Sequence, residues 1–325
     1  MRARIAATGS AVPRRVLRNA DLERMVATSD EWIAGRTGIR ERRVVDEGVA
    51  SSDLGTEAAR AALAAGNWDA ADLDLLLVAT CTPDMPLPST ACLIQRNLKA
   101  SRAIAFDLAA ACSGFLYGLS VADLYVRSGT CRKALVVGTE VMSSVVDWTD
   151  RGTCILFGDG AGAVLIEPSD DDRGILSTHL HSDGDLWDLV CVPGGGSRLP
   201  ASAAMLADRQ QFVKMKGNET FKVAVRTLEA TAREALEANK MGVDDVDLFI
   251  PHQANVRIVN AVMERLGLRK DRAFLNIDRY GNTSAASIPL ALDEAVRAGR
   301  ISPGSRILMV AFGSGLTWAS AVVKW

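Results

Sequence analysis

Cys112 is the residue best placed to do chemistry. It lies in the small-residue run Phe106-Asp-Leu-Ala-Ala-Ala-Cys-Ser-Gly-Phe115, where a strand passes into a helix. Backbone amides left unpaired at a helix start, together with the helix dipole, favour an anion, so the position predicts a thiol of lowered pKa with nucleophilic character. Ala109, Ala110, Ala111 and Gly114 would let a substrate approach closely. A small cysteine packed into a core accounts for the same residue equally well. Three histidines supply the bases or donors. His179 and His181 alternate in Ser177-Thr-His-Leu-His-Ser-Asp183, as on one face of a strand, and without further ligands nearby they read as structural. His252, in Phe249-Ile-Pro-His-Gln-Ala-Asn255, follows one strand and precedes a helix, which suits either a donor at a site or a satisfied structural side chain. Asn282, in Asp278-Arg-Tyr-Gly-Asn-Thr-Ser284, either caps a helix or points a polar group into a site.

Other motifs divide the same way. Phe157-Gly-Asp-Gly-Ala-Gly-Ala-Val-Leu-Ile166 has the glycines of a dinucleotide loop, but they lead into a strand where that fingerprint must open a helix, so a glycine hairpin packed on other backbone is expected. The glycine turn Ala311-Phe-Gly-Ser-Gly-Leu-Thr-Trp318 offers amides to an oxyanion. Arg36, Arg40, Arg42 and Arg43 cluster beside Trp32, an arrangement that suits either an adenine with its phosphates or a solvated charged face.

These residues need elements to hold them. Strands are predicted over 73–80, 103–108 and 134–138, helices over 88–98 and 113–127, and hairpins after Gly160. The same grammar returns as strands over 246–250, 273–277 and 306–312 with helices over 255–266 and 284–298. Similar elements in the same order, displaced by about 170 residues, indicate an internal duplication within an α/β chain. Pseudo-symmetry would then set Cys112 and Asn282 in related strand-to-helix turns, with His252 from a neighbouring strand end. Between the halves, 167–174 is a charged turn, and 184–209 a long excursion of the kind that often serves function.

With 325 residues, 48% hydrophobic and 23% charged, the chain has the balance of a globular protein, which excludes disorder and fibrous repeats. A net charge of −2 leaves no global basic field for nucleic acid. No apolar run approaches the ~18 residues of a membrane span, and the first residues lack a secretory apolar segment, so a cytoplasmic protein is expected. Six dispersed cysteines, with no CxxC pair or Cys/His cluster, argue against zinc ribbons and a disulfide framework.

Taken together, Ser29-Asp-Glu-Trp-Ile33, Arg36-Thr-Gly-Ile-Arg-Glu-Arg42, Ala109-Ala-Ala-Cys-Ser-Gly114, Phe157-Gly-Asp-Gly-Ala-Gly162, Pro251-His-Gln-Ala-Asn255, Gly281-Asn-Thr-Ser-Ala285 and Ala311-Phe-Gly313 closely resemble the β-ketoacyl-acyl-carrier-protein synthase III family. The resemblance spans essentially the whole chain. It implies a thiolase-like, five-layered αβαβα fold built from two duplicated halves, 1–172 carrying the cysteine and 173–325 the histidine and asparagine. The implied partners are acyl-CoA, malonyl-acyl carrier protein and a second copy in a homodimer, with no cofactor, metal, nucleic acid or membrane. The implied activity is a decarboxylating condensation that initiates fatty acid synthesis. Cys112 would carry the acyl group as a thioester. His252 and Asn282 would donate to the malonyl thioester oxygen, and the amides of Cys112 and Ser314 would hold a second oxyanion.

By the same resemblance, Trp32 and Arg151 would sandwich the adenine of coenzyme A and Arg36 would aid its nucleotide end. Gly217, Asn218, Phe221, Ala254, Asn255 and Phe312 would line the pantetheine path, and Lys222 and Arg257 would face the acidic carrier. Leu87, in Asp84-Met-Pro-Leu-Pro88, would reach the partner's acyl pocket, where a residue smaller than Phe admits a longer or branched primer. Ser314 and Leu316 depart from the family's usual Gly and Phe, which puts the local tunnel wall in doubt. Other condensing enzymes of the superfamily need a Glu in the loop after the first long strand, which here reads Thr80-Cys-Thr-Pro83. A cysteine thioesterase, with His252 activating Cys112 and water taking the acyl group, and a catalytically silent carrier-protein binder are the alternatives of other classes.

Overall fold

A computed structural model describes residues 2–325. The apolar runs become two sheets. The first contains β1 (Arg2–Ala11), β2 (Leu75–Ala79), β3 (Ile104–Leu108), β4 (Ala134–Glu140) and β5 (Gly160–Ser169) in the order β1-β5-β4-β2-β3. β2 is parallel to both β3 and β4, whereas β5 is antiparallel to β4 and β1. The second contains β6 (Gly174–Ser182), β7 (Leu248–Pro251), β8 (Arg306–Gly313) and β9 (Thr317–Lys324) in the order β7-β8-β9-β6, with β7 and β8 parallel. β2 and β7 are buried at every position, as strands covered on both faces must be.

Helices fill the spaces around the sheets. Of those that matter here, α1 (Asp30–Thr37) belongs to a cap over the site. The helices α2 (Ser51–Gly66) and α3 (Thr90–Leu98) cover the outer face of the first sheet through Leu54, Ala58, Ala62 and Ile94. Buried between the sheets are α4 (Gly114–Arg127) and α7 (Ser287–Arg297), whose Phe115, Leu119, Ile288 and Leu292 meet Leu77 and Val136 on one side and Ile250 and Met309 on the other. The outer face of the second sheet is covered by α5 (Gly217–Ala238) and α6 (Val256–Leu266). The layers therefore run αβαβα. The duplication keeps register: Leu75 pairs with Ala134 as Leu248 pairs with Ile307, and the 3₁₀ turns Ala111–Ser113 and Ser284–Ala286 open the two central helices at the same sequence separation.

Several sequence expectations are corrected. The strand predicted over 273–277 shrinks to one bridge, Ala273 with Phe249, because Gln253 takes its place: the side-chain amide donates to the Phe274 carbonyl at 3.0 Å and its oxygen accepts from Asn276 N at 3.2 Å. β5 and β6 do not form a hairpin with each other; they enter different sheets. In the preserved register, the counterpart of Cys112 is Ala285, so Asn282 lies three residues ahead of the related position. The strand expected to end at Gly138 continues to Glu140.

Arg42 does not belong to an exposed basic cluster. It is completely buried, donating to the carbonyls of Leu17 and Ile155 and to Asn19 Oδ1. Burial lowers its pKa to about 10, still charged at neutral pH. Arg42→Met would strand three buried acceptors at about 1–3 kcal/mol each, so a fall of several degrees in the thermal unfolding midpoint is expected by calorimetry.

Candidate active site

Cys112, His252 and Asn282 line one cavity of about 330 Å³ between the halves. Cys112 enters from the first half on the 3₁₀ turn before α4, with Ala111 held in the left-handed region at φ 44°. His252 follows β7, its backbone N–H donating to the Val310 carbonyl at 2.8 Å. Asn282 is fixed at both levels: its N–H donates to Leu156 O at 2.8 Å, its carbonyl accepts from Gly158 N at 3.1 Å, and Oδ1 accepts from Ser284 N at 2.9 Å. With Oδ1 engaged in capping the next turn, the amide NH₂ is the end free to donate. Capping and site placement are thus both true of Asn282.

The electrostatics differ from a lowered-pKa thiol. Desolvation pushes Cys112 up to about 12, with the Ser284 hydroxyl as a weaker opposing influence and the Glu140 charge adding to the rise. The helix-start effect is outweighed because the thiol sits in a water-poor cavity and is separated from α4 by the 3₁₀ turn. Burial lowers His252 to about 4, and its Nδ1 has no protein partner among the described residues. At neutral pH both groups are uncharged, so they do not form a thiolate–imidazolium pair.

The cavity also takes Gly217, Phe221, Ala254, Asn255, Phe312 and Ser314 from the expected set. Asn255 additionally caps α6, Oδ1 accepting from Arg257 N at 2.8 Å. Gly313 packs against Cys112 so closely that a Cβ there would stand 2.7 Å from Cys112 N. Outside the cavity, Trp32 has the guanidinium of Arg36 at 4.9 Å and that of Arg151 at 4.7 Å from its ring centre. Arg257 lies 5.6 Å from the Phe221 ring, and Asn218 and Lys222, on the same helix as Phe221, are exposed. Leu87 is 85% exposed and lines no part of this cavity, and Leu316 is buried in the outer core of the second half. His179 and His181 both reach Glu234, at 3.4 and 2.7 Å, in keeping with a structural role.

Sequence reading missed three residues. Cys81 and Ser284 line the cavity beside Cys112, and Glu140 lies beneath them, wholly buried. Glu140 ends the fully buried strand Ala134-Leu-Val-Val-Gly-Thr-Glu140, a position where an acid is conspicuous. The excursion after Gly184 folds over the cavity: the pair Val190–Cys191 and Lys214–Met215 closes one wall, joined by Val192 and Val213.

A duplicated αβαβα chain with a cysteine facing an enclosed apolar cavity between its halves defines a thiolase-fold acyl-transfer enzyme. Family models for 3-oxoacyl-[acyl-carrier-protein] synthase III match residues 106–184 and, for the C-terminal part, 236–325. The chain is 55% identical over 323 residues to the β-ketoacyl-[acyl-carrier-protein] synthase III of Roseiflexus castenholzii, covering 99% of this chain and 98% of that one. It is 50% identical over 321 residues to that of Caldanaerobacter subterraneus subsp. tengcongensis, covering 99% and 97%. The crystal structure of 3-oxoacyl-[acyl-carrier-protein] synthase III from Aquifex aeolicus superposes with a TM-score of 0.92 at 47% identity, covering 99% and 100%. The chain belongs to the β-ketoacyl-[acyl-carrier-protein] synthase III family.

Proposed function

We infer that the chain catalyses the initiating condensation of fatty acid synthesis, joining an acyl group from an acyl-CoA to malonyl-acyl carrier protein with loss of carbon dioxide, in two half-reactions through an acylated Cys112. The observation that carries this reading is the meeting of Cys112, His252 and Asn282 on one apolar cavity. In the first half-reaction Cys112 Sγ attacks the thioester carbonyl, the developing oxyanion takes hydrogen bonds from the amides of Cys112 and Ser314, and CoA leaves. In the second, His252 and Asn282 donate to the malonyl thioester oxygen. Loss of carbon dioxide makes the carbanion, so no strong base is needed, and uncharged donors suffice. Burial makes His252 a weak base, which argues against the thioesterase alternative, in which His252 would have to hold the thiol proton.

Trp32, Arg36 and Arg151 are assigned to the adenine end of CoA. Support for this assignment is that both guanidiniums lie over the Trp32 ring, which joins an aromatic face to two cations, the groups suited to a purine and its phosphates. Gly217, Asn218, Phe221, Ala254, Asn255 and Phe312 are assigned to the pantetheine path, and Lys222 with Arg257 to the acidic carrier. The scheme requires no metal or organic cofactor. A homodimer through β3 is supported by that strand's unpaired outer edge and by exposed Leu87 and Ile104. In such a dimer Leu87 reaches the partner's acyl pocket. The division into halves at 172/173 is supported by the sheets, one drawn from residues up to Ser169 and the other from Gly174 onward.

Incubation with acetyl-, butyryl-, isovaleryl- and octanoyl-CoA, followed by peptide mass spectrometry, is expected to find an acyl adduct on Cys112 that passes to malonyl-acyl carrier protein as carbon dioxide is released. Free acid with no condensed product would overturn the reading.

A further inference from the structure

The scheme leaves a proton unaccounted for. Cys112 enters each cycle as a thiol, His252 is committed to the malonyl oxygen, and neither is ionised at rest. The start of the loop after β2, Thr80-Cys-Thr-Pro83, contains no acid and Asp84 beyond it is engaged by Ser52, yet a carboxylate reaches Thr80–Thr82 from the adjacent strand. Glu140 is 0% exposed and accepts from Thr82 Oγ1 at 2.6 Å, from the Cys81 and Thr82 amides at 3.1 Å, from Cys81 Sγ at 3.2 Å and from Ala285 N at 3.4 Å. No cation faces it among the described residues; the titratable neighbours are Cys81 and Cys112. Burial raises its pKa. Ser284, in the left-handed region at φ 48°, lines the cavity with Cys112, holds its hydroxyl 3.7 Å from Cys81 Sγ, and opposes the burial-driven rise in pKa of both Cys112 and Glu140, which puts that hydroxyl in reach of the two groups. A buried acid with no counter-ion costs stability, and its hydrogen bonds to the backbone amides offset only part of that cost.

We propose that Glu140, acting through the Ser284 hydroxyl, is the proton store for Cys112. As the Cys112 Sγ–acyl bond forms and the acyl–sulfur bond to CoA breaks, the thiol proton passes to Ser284 Oγ while the Ser284 proton passes to Glu140. The CoA thiolate departs and is protonated by solvent. When the malonyl-derived carbanion takes the acyl group, the expelled Cys112 thiolate recovers its proton from Glu140 by the reverse path. The carboxylate ends the cycle as it began. This rests on the condensing reading above for the acyl steps, though the shuttle itself is a property of the thiol.

The test compares two rates at one pH in wild type, Glu140→Gln and Ser284→Ala: alkylation of Cys112 by iodoacetamide, and single-turnover acylation by butyryl-CoA, both read by peptide mass spectrometry. A shuttle predicts that Glu140→Gln slows both by about 10²-fold or more. If the carboxylate acts only by its charge, its removal favours the thiolate and both rates rise; unfolding likewise frees the thiol and speeds alkylation. Unchanged or faster reactions in a Glu140→Gln protein that circular dichroism shows to be folded therefore overturn the proposal. Should that variant fail to fold, Ser284→Ala decides alone: about 10²-fold slowing is expected, against the roughly fivefold that one lost hydrogen bond explains. Failure of acetyl-, butyryl-, isovaleryl- and octanoyl-CoA alike to label wild-type Cys112 would refute the condensing reading, while the alkylation rates would still judge the shuttle.

Discussion

Cys112→Ala is expected to abolish condensation, by at least about 10³-fold, while leaving decarboxylation of the malonyl thioester in place. The two losses separate because the two jobs are done from different halves of the chain. In the proposed scheme Cys112, on the turn before α4, holds the acyl group, and His252 and Asn282, from the end of β7 and the turn before α7, address the malonyl oxygen. Removing one sulfur leaves Asn282 still held by Leu156, Gly158 and Ser284, and the His252 backbone still tied to Val310. Asn282→Ala should behave oppositely: acylation of Cys112 survives, while decarboxylation falls by about 10²–10³-fold for the lost donor. Radiolabelled carbon dioxide release, measured beside acyl-Cys112 formation, gives both numbers. A Cys112→Ala protein that also stops releasing carbon dioxide would show that the acyl-cysteine and the donor pair act as a single unit.

Why some of this was legible in the chain and some was not follows from the distance over which each signal acts. Local pattern wrote the fold: buried strands such as 75–79 and the first part of 134–140 read as apolar runs, and helix ends carry their caps, Ser29 before α1 and Asn255 before α6. Cys112, His252 and Asn282 were found because each stands where a strand ends or a helix begins, and repetition of the halves predicts that such places converge. What stayed hidden depends on partners far away in sequence. Gln253 suppressed a strand by occupying its hydrogen bonds from twenty-odd residues upstream. Arg42 looked like its arginine neighbours until the chain at Ile155 closed over it. The thiol's pKa turned on burial, which a helix-start argument cannot weigh. Glu140 reaches the loop after β2 only because β4 lies beside β2 in the sheet.

Gly313→Ala should cost about 10²-fold in acylation of Cys112 with little change in the far-ultraviolet circular dichroism spectrum. The two halves hold each other's active turns by contacts too close for a side chain. On β4, a Cβ at Gly138 would lie 2.3 Å from the Ala285 carbonyl oxygen; at the end of β8, one at Gly313 would lie 2.7 Å from Cys112 N and 3.1 Å from Ser113 N. Each half's parallel strand thus carries, near its C-terminal end, a glycine on which the other half's 3₁₀ turn rests. A methyl at 313 must push the Cys112 amide, or the peptide leading to Ser314, several tenths of an ångström to reach ordinary contact. Those two peptides carry the amides assigned to the acyl oxyanion, so the shift falls on the pair whose mutual geometry matters most, and misplacement on the ångström scale is worth about 10²-fold. Iodoacetamide does not need the oxyanion amides, so its reaction with Cys112 should change far less than acylation by butyryl-CoA. Equal losses in the two reactions would place the damage at the thiol itself and remove Ser314 from the oxyanion site.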